Sequence, residues 1–274
     1  MKIFRMIIQH LSTSLIKLLC CVSILSFISG ILFCNNRSLF LEIESTNQSR
    51  RLVETALLDI PACTSADRVR QRALLATLQT WARLARYFHV QYWITFGTLV
   101  GYVQRRTLLP HDQDIDILIM GQDTSQLVQI ALNLSFQNFS WLDSNMYKLV
   151  IHPQWYIVNW ENRSYFPSQS INFKAPNARF IHRERNVFVD IWLMYDYHPE
   201  QSNHLTDSTS MLTGIGLDYK WVSSPKFWSF PLRPCDLSGI RVWCPGEPEE
   251  IVCATYGREA LYKSDTKCIN GSWV

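Results

Sequence analysis

The segment from residue 109 to 120 constrains the fold most, because acids alternate along it and lead directly into an apolar run. Asp112, Asp114 and Asp116 are separated by single residues, and isoleucines take the alternate positions that follow. Side chains alternate between the two faces of a β-strand, so these acids share one face and the isoleucines the other. The pattern predicts a strand over 114–120 with one buried face and one acidic face.

Neighbouring carboxylates of this kind are unfavourable unless a cation is present. Acids two positions apart along a strand have Cα atoms about 7 Å apart, which lets their carboxylates converge on one ion. Two carboxylates about 4 Å apart repel each other by about 4 kcal/mol at an effective dielectric constant of about 20. Hard oxygen ligands suit Mg²⁺ or Mn²⁺. The alternative is an acidic loop edge that is simply exposed to solvent.

A second apolar run, Val187–Met194, contains a single acid, Asp190. A fully buried and unpaired aspartate is rare and costly. Asp190 therefore either meets a basic or metal partner, or the run is a half-exposed edge strand. In the first case Asp190 is a third metal ligand on a neighbouring strand.

A candidate phosphate-binding turn precedes the acids in the sequence. Residues 90–96 predict a strand, and Gly97-Thr98 then opens a short helix that ends near Arg106. Backbone N–H groups at a helix N-terminus bind phosphate, and the helix dipole favours its negative charge. The order of strand, Gly-Thr turn, helix and acidic strand places this phosphate-binding turn beside the carboxylates.

Two segments resemble the LicD family, which includes bacterial phosphocholine transferases and the animal fukutin and fukutin-related proteins. They are Trp93–Gly101 (WITFGTLVG) and Leu109–Ile117 (LPHDQDIDI), and their order and spacing match together. The resemblance implies an α/β (α+β) fold of the nucleotidyltransferase type, with a mixed sheet and flanking helices. It also implies transfer of a phosphorylated alcohol, such as ribitol phosphate or phosphocholine, from a CDP-linked donor to a glycan.

The resemblance implies roles for individual acids. Asp114 and Asp116 match the metal-binding acids of the family, and Asp112 matches the leading acid of the run. Asp190 matches a third, distant carboxylate that completes the metal site. An acceptor hydroxyl would attack the donor in line, assisted by bound Mg²⁺ or Mn²⁺. Asp112 or Asp190 would take the hydroxyl proton, and the sequence leaves that choice open.

The resemblance implies donor-phosphate contacts for Gly97 and Thr98. Arg105 lies beside the position of an expected basic residue, and it either contacts phosphate or is an ordinary solvated charge. His111 stands where the family usually shows tryptophan, and Gln113 replaces an acid. Other basic residues either contact phosphate or are ordinary solvated charges: Lys148, Lys174, Arg179, Arg183 and Arg185.

The N-terminal part predicts a membrane anchor. Leu18–Cys34 is an uncharged apolar run just long enough to span a bilayer, and Lys2 and Arg5 favour a cytosolic N-terminus. We expect a signal anchor over 18–34 behind a cytoplasmic tail over 1–17, with a cleaved signal peptide as the alternative. Sequons for N-glycosylation begin at Asn36, Asn47, Asn133, Asn138, Asn162 and Asn270. We therefore expect a single-pass type II protein of the Golgi or ER membrane with a lumenal body.

The lumenal body divides simply. Residues 35–62 predict a polar, irregular stem, and residues 63–274 predict one domain without internal repeats. Ala66–Phe88 predicts the clearest helix, because apolar residues recur at three- and four-residue steps. Thr64 or Ser65 would cap its start.

The cysteines of the lumenal body indicate disulfides. They are Cys63, Cys235, Cys244, Cys253 and Cys268. The odd number leaves at least one cysteine outside intrachain pairs. Zinc ligation by the last four is the weaker alternative, because their spacing lacks a C-x-x-C pair.

Composition excludes some classes of protein and leaves others open. The chain is 47% hydrophobic and 18% charged, which excludes disorder throughout, and a net charge of +3 does not suit a nucleic-acid binder. Besides the CDP-dependent transferase, we consider a metal-dependent glycosyltransferase that uses a nucleotide sugar. A non-catalytic, glycan-binding or scaffolding relative of the same fold is the third possibility.

Overall fold

The computed structural model of the chain describes residues 46–136, 139, 141–143, 145–152, 176–197, 210–215, 221–264 and 266–274. Residues from Gln48 to Val274 form one compact unit. The expected tail, the expected anchor over 18–34 and most of the expected stem lie outside the described residues. Within the described ranges, no helix combines the length and apolar character that crossing a bilayer requires.

A seven-stranded sheet forms the centre of the fold. Its strands are β1 (Tyr92–Ile94), β2 (Ile115–Met120), β3 (Tyr147–Ile151), β4 (Ala178–His182), β5 (Val187–Tyr197), β6 (Met211–Ile215) and β7 (Trp221–Pro225). The order is β1-β2-β5-β4-β3, and β6 pairs with the far half of β5 and with β7. β2 and β5 are parallel, whereas the other neighbours in this sheet are antiparallel. The expected mixed sheet is confirmed.

Helices flank the sheet, as expected. They are α1 (Thr46–Ala56), α2 (Ser65–Tyr87), α3 (Phe96–Arg105), α4 (Thr124–Phe136), α5 (Lys226–Ser229) and α6 (Pro248–Tyr256). Short 3₁₀ turns cover Leu57–Asp59, Gly121–Asp123 and Arg258–Leu261. Two small antiparallel ladders follow the main sheet: β8 (Arg233–Leu237) with β9 (Ile240–Cys244), and β10 (Cys268–Ile269) with β11 (Ser272–Trp273).

Helix α2 supplies much of the core. It begins within one residue of the predicted start, and its apolar stripe, including Leu74, Leu78 and Trp81, is buried. The Trp81 ring packs against Phe180 of β4 with centroids 5.8 Å apart. One face of the sheet is therefore closed by a helix, which matches the three- and four-residue spacing of the helix sequence.

The two faces of β2 differ in burial, as the alternation of acids and isoleucines in the sequence predicts. Ile115, Ile117 and Ile119 are fully buried. Asp114, just before the strand, and Asp116 within it are only half-buried. Since adjacent residues of a strand point to opposite faces, the acids lie on the face away from the isoleucines, called here the acidic face.

The expectation of an irregular stem over 35–62 is wrong for residues 46–59. Helix α1 and the 3₁₀ turn that follows it occupy this stretch. Val53, Ala56 and Leu57 are buried in the main core. Their three- and four-residue spacing is a helical signal that the surrounding polar residues obscure.

Disulfides pair four of the five cysteines, and zinc ligation by these residues is excluded. Cys63 bonds to Cys268, and Cys235 bonds to Cys244 across the β8–β9 ladder. Cys253 forms no disulfide within the described part of the chain. The Cys63–Cys268 bond joins residues 205 positions apart, so it fixes the C-terminal ladder to the start of α2.

The capping box of α2 gives a pH-dependent prediction for stability. The Thr64 hydroxyl accepts a hydrogen bond from the Asp67 N–H at 3.1 Å, and the Asp67 carboxylate accepts one from the Thr64 N–H at 2.8 Å. Burial raises the pKa of Asp67, but the hydrogen bonds from Thr64 and Arg70 outweigh it and leave the pKa lowered. We expect Asp67→Asn to lower the free energy of unfolding by about 1 kcal/mol at pH 7.

The difference in free energy of unfolding between wild type and Asp67→Asn should become smaller as the pH falls. A carboxylate with a lowered folded-state pKa stabilises the fold above its unfolded pKa of about 3.9, and this contribution is lost as the pH falls through the folded value. Urea unfolding of wild type and Asp67→Asn between pH 7 and pH 2.5 measures it. Asp59→Asn, at an exposed acid of the preceding turn, is the control. A difference that stays constant with pH would contradict the assignment.

Candidate active site

The register of the parallel strands β2 and β5 builds the site. Asp116 lies directly opposite Asp190. On the other side of β5, Arg179 of β4 also lies opposite Asp190. Directly opposed residues of neighbouring strands share a face, so the two acids and the arginine lie side by side on the acidic face. The predicted proximity of Asp190 to Asp116 is present in the structure.

The backbone of Asp116 is fixed to the turn before α3. The N–H of Asp116 donates to the hydroxyl oxygen of Thr98 at 2.9 Å, and the N–H of Thr95 donates to the carbonyl of Asp116 at 3.1 Å. Thr98 itself is buried. Its visible contact is therefore to the acidic strand, and its contact with donor phosphate stays a prediction.

Asp112 lies against the Gly97 turn. A Cβ atom placed on Gly97 would lie 3.4 Å from Oδ1 of Asp112, so the glycine lets the carboxyl group approach the first turn of α3. Burial and the negative charge of Asp114 raise the pKa of Asp112 to about 7. Oδ2 of Asp112 is buried and has no hydrogen-bond partner among the described residues.

Two side chains of α2 hold the loop before β2. Arg70 donates from Nε to the Asp112 carbonyl at 2.9 Å and from a terminal nitrogen to the Pro110 carbonyl at 3.2 Å. Gln71 donates to the same Pro110 carbonyl at 3.0 Å. The Arg70 guanidinium also pairs with Asp67 at 2.7 Å. The first turns of α2 thus determine where the acidic loop lies.

Asp190 is paired with an arginine rather than left isolated. Arg179 donates from Nε to Oδ1 at 2.8 Å and from a terminal nitrogen to Oδ2 at 3.1 Å. Burial raises the pKa of Asp190 to about 6, although the hydrogen bonds and charge of Arg179 lower it. This pair explains how an acid sits inside an apolar run, and it is the first of the two explanations that the sequence left open.

The remaining acids have few neutralising partners. Burial, followed by the charge of Asp114, raises the pKa of Asp116 well above its usual range, although Trp192 lowers it by donating from Nε1 to Oδ1 at 3.1 Å. Burial likewise raises the pKa of Asp114, while the charge of Arg179 lowers it. The cluster therefore carries more negative charge than its surroundings stabilise, and a cation would relieve the repulsion.

The chemistry of these donors fits Mg²⁺ or Mn²⁺ at Asp114 and Asp116, next to Asp112. They offer carboxylate oxygens, which both ions prefer, and one oxygen of Asp112 lacks a partner among the described residues. Each oxygen of Asp190 accepts one hydrogen bond from Arg179 and keeps a further lone pair, so its role as a third metal ligand stays a prediction. In the described ranges no three such side chains are already arranged as a metal cluster.

The structure separates Arg105 from the other predicted phosphate contacts. Gly97 lies in the first turn of α3 and Arg105 in its last, which puts them about 12 Å apart along the helix axis. Lys174 lies outside the described residues. Arg183 donates to the Tyr147 carbonyl at 3.3 Å, and Arg185 lines a cavity of about 500 Å³ beside Gln113. Among the predicted cations within the described ranges, Arg179 is the one that contacts a site acid, Asp190.

Sequence reasoning missed several residues of the site. Arg70 and Gln71 looked like ordinary positions of an amphipathic helix, and nothing in their spacing signals contact with a loop some forty residues later. Trp192 could have been found, because it lies two positions after Asp190 and so shares its face. Tyr256 of α6 was also missed: burial, and then the charges of Asp116, Asp112 and Asp114, raise its pKa.

Comparison with known proteins agrees with this architecture. A mixed sheet with acids on adjacent strands, preceded by a Gly-Thr turn into a helix, defines a nucleotidyltransferase-type domain. The LicD/FKTN/FKRP nucleotidyltransferase domain matches residues 89–247, which is more than half of the chain. The chain belongs to this family, whose members generally transfer phospho-alcohol groups.

Two curated relatives are less informative. An uncharacterized protein of Rickettsia prowazekii is 45% identical over 42 residues, which cover 15% of this chain and 16% of that protein. An uncharacterized protein of Rickettsia typhi is 26% identical over 111 residues, which cover 40% of this chain and 28% of that protein. The chain therefore spans less than a third of either relative, and neither assigns a substrate.

The Arg179–Asp190 pair gives a prediction for stability. Removing the arginine leaves a carboxylate buried without its partner, so Arg179→Met should lower the free energy of unfolding by about 1 to 3 kcal/mol. The double variant Arg179→Met/Asp190→Leu should recover most of this loss, because the unpaired charge is gone. Urea unfolding of the four members of the cycle measures the coupling.

A matched control is the exposed pair Lys263–Glu259, whose nitrogen and oxygen lie 3.0 Å apart. Lys263→Met should change the free energy of unfolding by less than about 1 kcal/mol. Equal effects of Arg179→Met and Lys263→Met would show that the buried pair contributes no more than a surface one.

Proposed function

We propose that this protein is a lumenal, metal-dependent transferase that moves a phospho-alcohol from a CDP-linked donor to a glycan acceptor. Membership of the family supports a transferase in general. The observation that carries the finer proposal is the placement of Asp116 opposite Asp190, next to Asp112 and the Gly97 turn. This arrangement puts several carboxylates at one point of the sheet.

Asp114 and Asp116 would hold Mg²⁺ or Mn²⁺, and Asp112 lies beside them with its oxygen Oδ2 left for the acceptor hydroxyl. The bound ion would supply charge neutralisation for the diphosphate of the donor. Asp190 is the fourth carboxylate of the proposed set, and its pairing with Arg179 keeps it ionised and oriented until substrate binds. The half-buried position of Asp114 and Asp116 leaves their carboxylates accessible from the acidic face.

Arg179 is suited to bind the donor phosphates. Its side chain is 42% exposed and extends over the acidic face, where the guanidinium also covers the Phe188 ring at 4.3 Å. A guanidinium binds phosphate oxygens with two parallel hydrogen bonds. We propose that Arg179 contacts the diphosphate, together with the backbone at Gly97 and the hydroxyl of Thr98.

Asp112 is the better candidate for the residue that accepts the acceptor's hydroxyl proton. General-base catalysis needs a carboxylate oxygen within hydrogen-bond reach of that hydroxyl. Both oxygens of Asp190 accept hydrogen bonds from Arg179, whereas Oδ2 of Asp112 has no partner in the described part of the chain. We therefore propose that Asp112 orients the hydroxyl and takes its proton during in-line attack on the donor.

The proposed location is the lumenal side of the Golgi or ER membrane, with residues 18–34 as the anchor. Two disulfides suit an oxidising compartment. The sequon at Asn270 lies in the exposed turn between β10 and β11, where an oligosaccharide could be attached. A glycan acceptor on a glycoprotein or glycolipid would be available in the same compartment.

Calorimetric titration tests the proposal. The full chain in a mild detergent would be titrated with CDP, UDP and GDP, with and without Mn²⁺. We expect CDP to bind more tightly than the other two and only when Mn²⁺ is present. Asp114→Asn/Asp116→Asn should weaken this binding by about tenfold or more, a loss of about 1.4 kcal/mol, because two metal-binding oxygens lose their charge.

Asp59→Asn removes an acidic charge outside the site and should leave the affinity unchanged. A preference for UDP or GDP would instead indicate a glycosyltransferase that uses a nucleotide sugar. A folded protein that binds no nucleotide would contradict both enzyme assignments and leave a glycan-binding relative of the family.

A further inference from the structure

An aromatic pair, Phe96 and Trp192, lies beside the acids, and the faces of its rings have no role in the chemistry above. The two ring centroids are 5.9 Å apart and the ring planes meet at 83°, which is an edge-to-face contact. Both side chains are half-buried. Each ring therefore presents part of its surface outside the core, next to the candidate active site.

The pair is fixed relative to Asp116. Trp192 donates from Nε1 to Oδ1 of Asp116 at 3.1 Å. On the other side, Thr95, which precedes Phe96, donates its N–H to the Asp116 carbonyl at 3.1 Å. The Trp192 ring thus bonds directly to Asp116, and the backbone next to Phe96 is fixed to the same residue. A ligand that contacts the two rings is therefore positioned with respect to the carboxylates.

The backbone at Phe96 is strained. Its φ is 45°, in the left-handed region that bulky residues rarely adopt. Glycine adopts this conformation without steric cost, and Phe96 directly precedes a glycine in the chain. The protein therefore places a phenyl ring where glycine would fit more easily. Backbone outliers of this kind cluster at ligand-binding sites, so the ring is a candidate for ligand contact.

We propose that the rings of Phe96 and Trp192 form the stacking surface for the nucleobase of the donor. This inference rests on the proposed function and names the subsite for one part of its substrate. The diphosphate goes to the acids and Arg179, and the flat, weakly polar base needs an apolar surface nearby. Aromatic side chains bind all bases through stacking, so this surface supplies affinity for a nucleotide without selecting cytosine.

Comparison of CDP with inorganic pyrophosphate tests the subsite, since pyrophosphate lacks a base. Both would be titrated with Mn²⁺ into the full-length wild type and into Phe96→Gly. We expect Phe96→Gly to weaken CDP binding roughly tenfold and to leave pyrophosphate binding unchanged. Phe96→Tyr, which keeps a ring, should retain the CDP affinity. Phe227→Ala, at an exposed phenylalanine of α5, is the control.

Stability separates a binding role from a structural one. Phe96→Gly and Phe96→Ala both lose the ring, but glycine also removes the left-handed strain, so Phe96→Gly should have the higher Tm of the two. It should nevertheless bind CDP as weakly as Phe96→Ala does. A CDP affinity that follows Tm across these variants would show that Phe96 only stabilises the fold, and would overturn the inference.

The remaining outcomes are distinguishable. Equal losses for CDP and pyrophosphate, or no loss for CDP, would overturn the subsite while leaving the transferase proposal in place. A variant that weakens CDP-choline but not CDP would assign the rings to the alcohol instead of the base. Similar affinities of wild type for CDP, UDP and GDP, all weakened in Phe96→Gly, would support the subsite and count against a CDP-specific donor.

Discussion

Electrostatic repulsion among four aspartates on one face of a sheet is the constraint on which the site depends. Bringing Asp112, Asp114, Asp116 and Asp190 together in a half-buried region costs free energy, because each carboxylate is partly removed from water and faces like charges. The structure offsets this cost at two points. Arg179 neutralises Asp190 with a bidentate pair, and the indole of Trp192 donates to Asp116. The negative charges of Asp112 and Asp114 are less well neutralised by neighbouring groups. A divalent cation would neutralise this remaining charge.

The first turns of helix α2 connect stability with the site. The capping box of Thr64 and Asp67 starts the helix, Asp67 pairs with Arg70, and Arg70 holds the backbone of the acidic loop. The Cys63–Cys268 disulfide joins the same point to the C-terminal ladder. That ladder carries Trp273, whose ring lies 6.0 Å from His111 of the acidic loop.

His111 is one of the positions at which this chain departs from the family pattern. Its neighbour in space, Trp273, comes from the far end of the chain. The acidic loop is held by Arg70 and Gln71 of α2 through its backbone carbonyls, and His111 contacts the C-terminal ladder. The geometry of the acids therefore depends on residues that are distant in sequence.

The elements nearest the site could be predicted because their patterns are local. Alternation along β2 and the helical period of α2 are properties of a short segment, and both were confirmed within a residue or two. The partner of Asp190 could not be predicted, because it depends on which residue of β4 lies opposite, and a shift of one residue would turn Arg179 to the other face. Helix α1 was missed because its few apolar residues are set among polar ones. The disulfide pairing was left open, since five cysteines permit many combinations.

The most direct test of the proposed transfer is ³¹P NMR of the full chain incubated with Mg²⁺, which is diamagnetic, and CDP-ribitol, CDP-choline or CDP-glycerol. A lumenal glycoprotein extract would serve as the acceptor mixture. We expect one donor to be consumed, CMP to appear, and a new phosphodiester signal to stay with the macromolecular fraction. Chelation of Mg²⁺ should stop the reaction. Donors that remain intact in the presence of folded protein, metal and acceptor would contradict the proposed transfer.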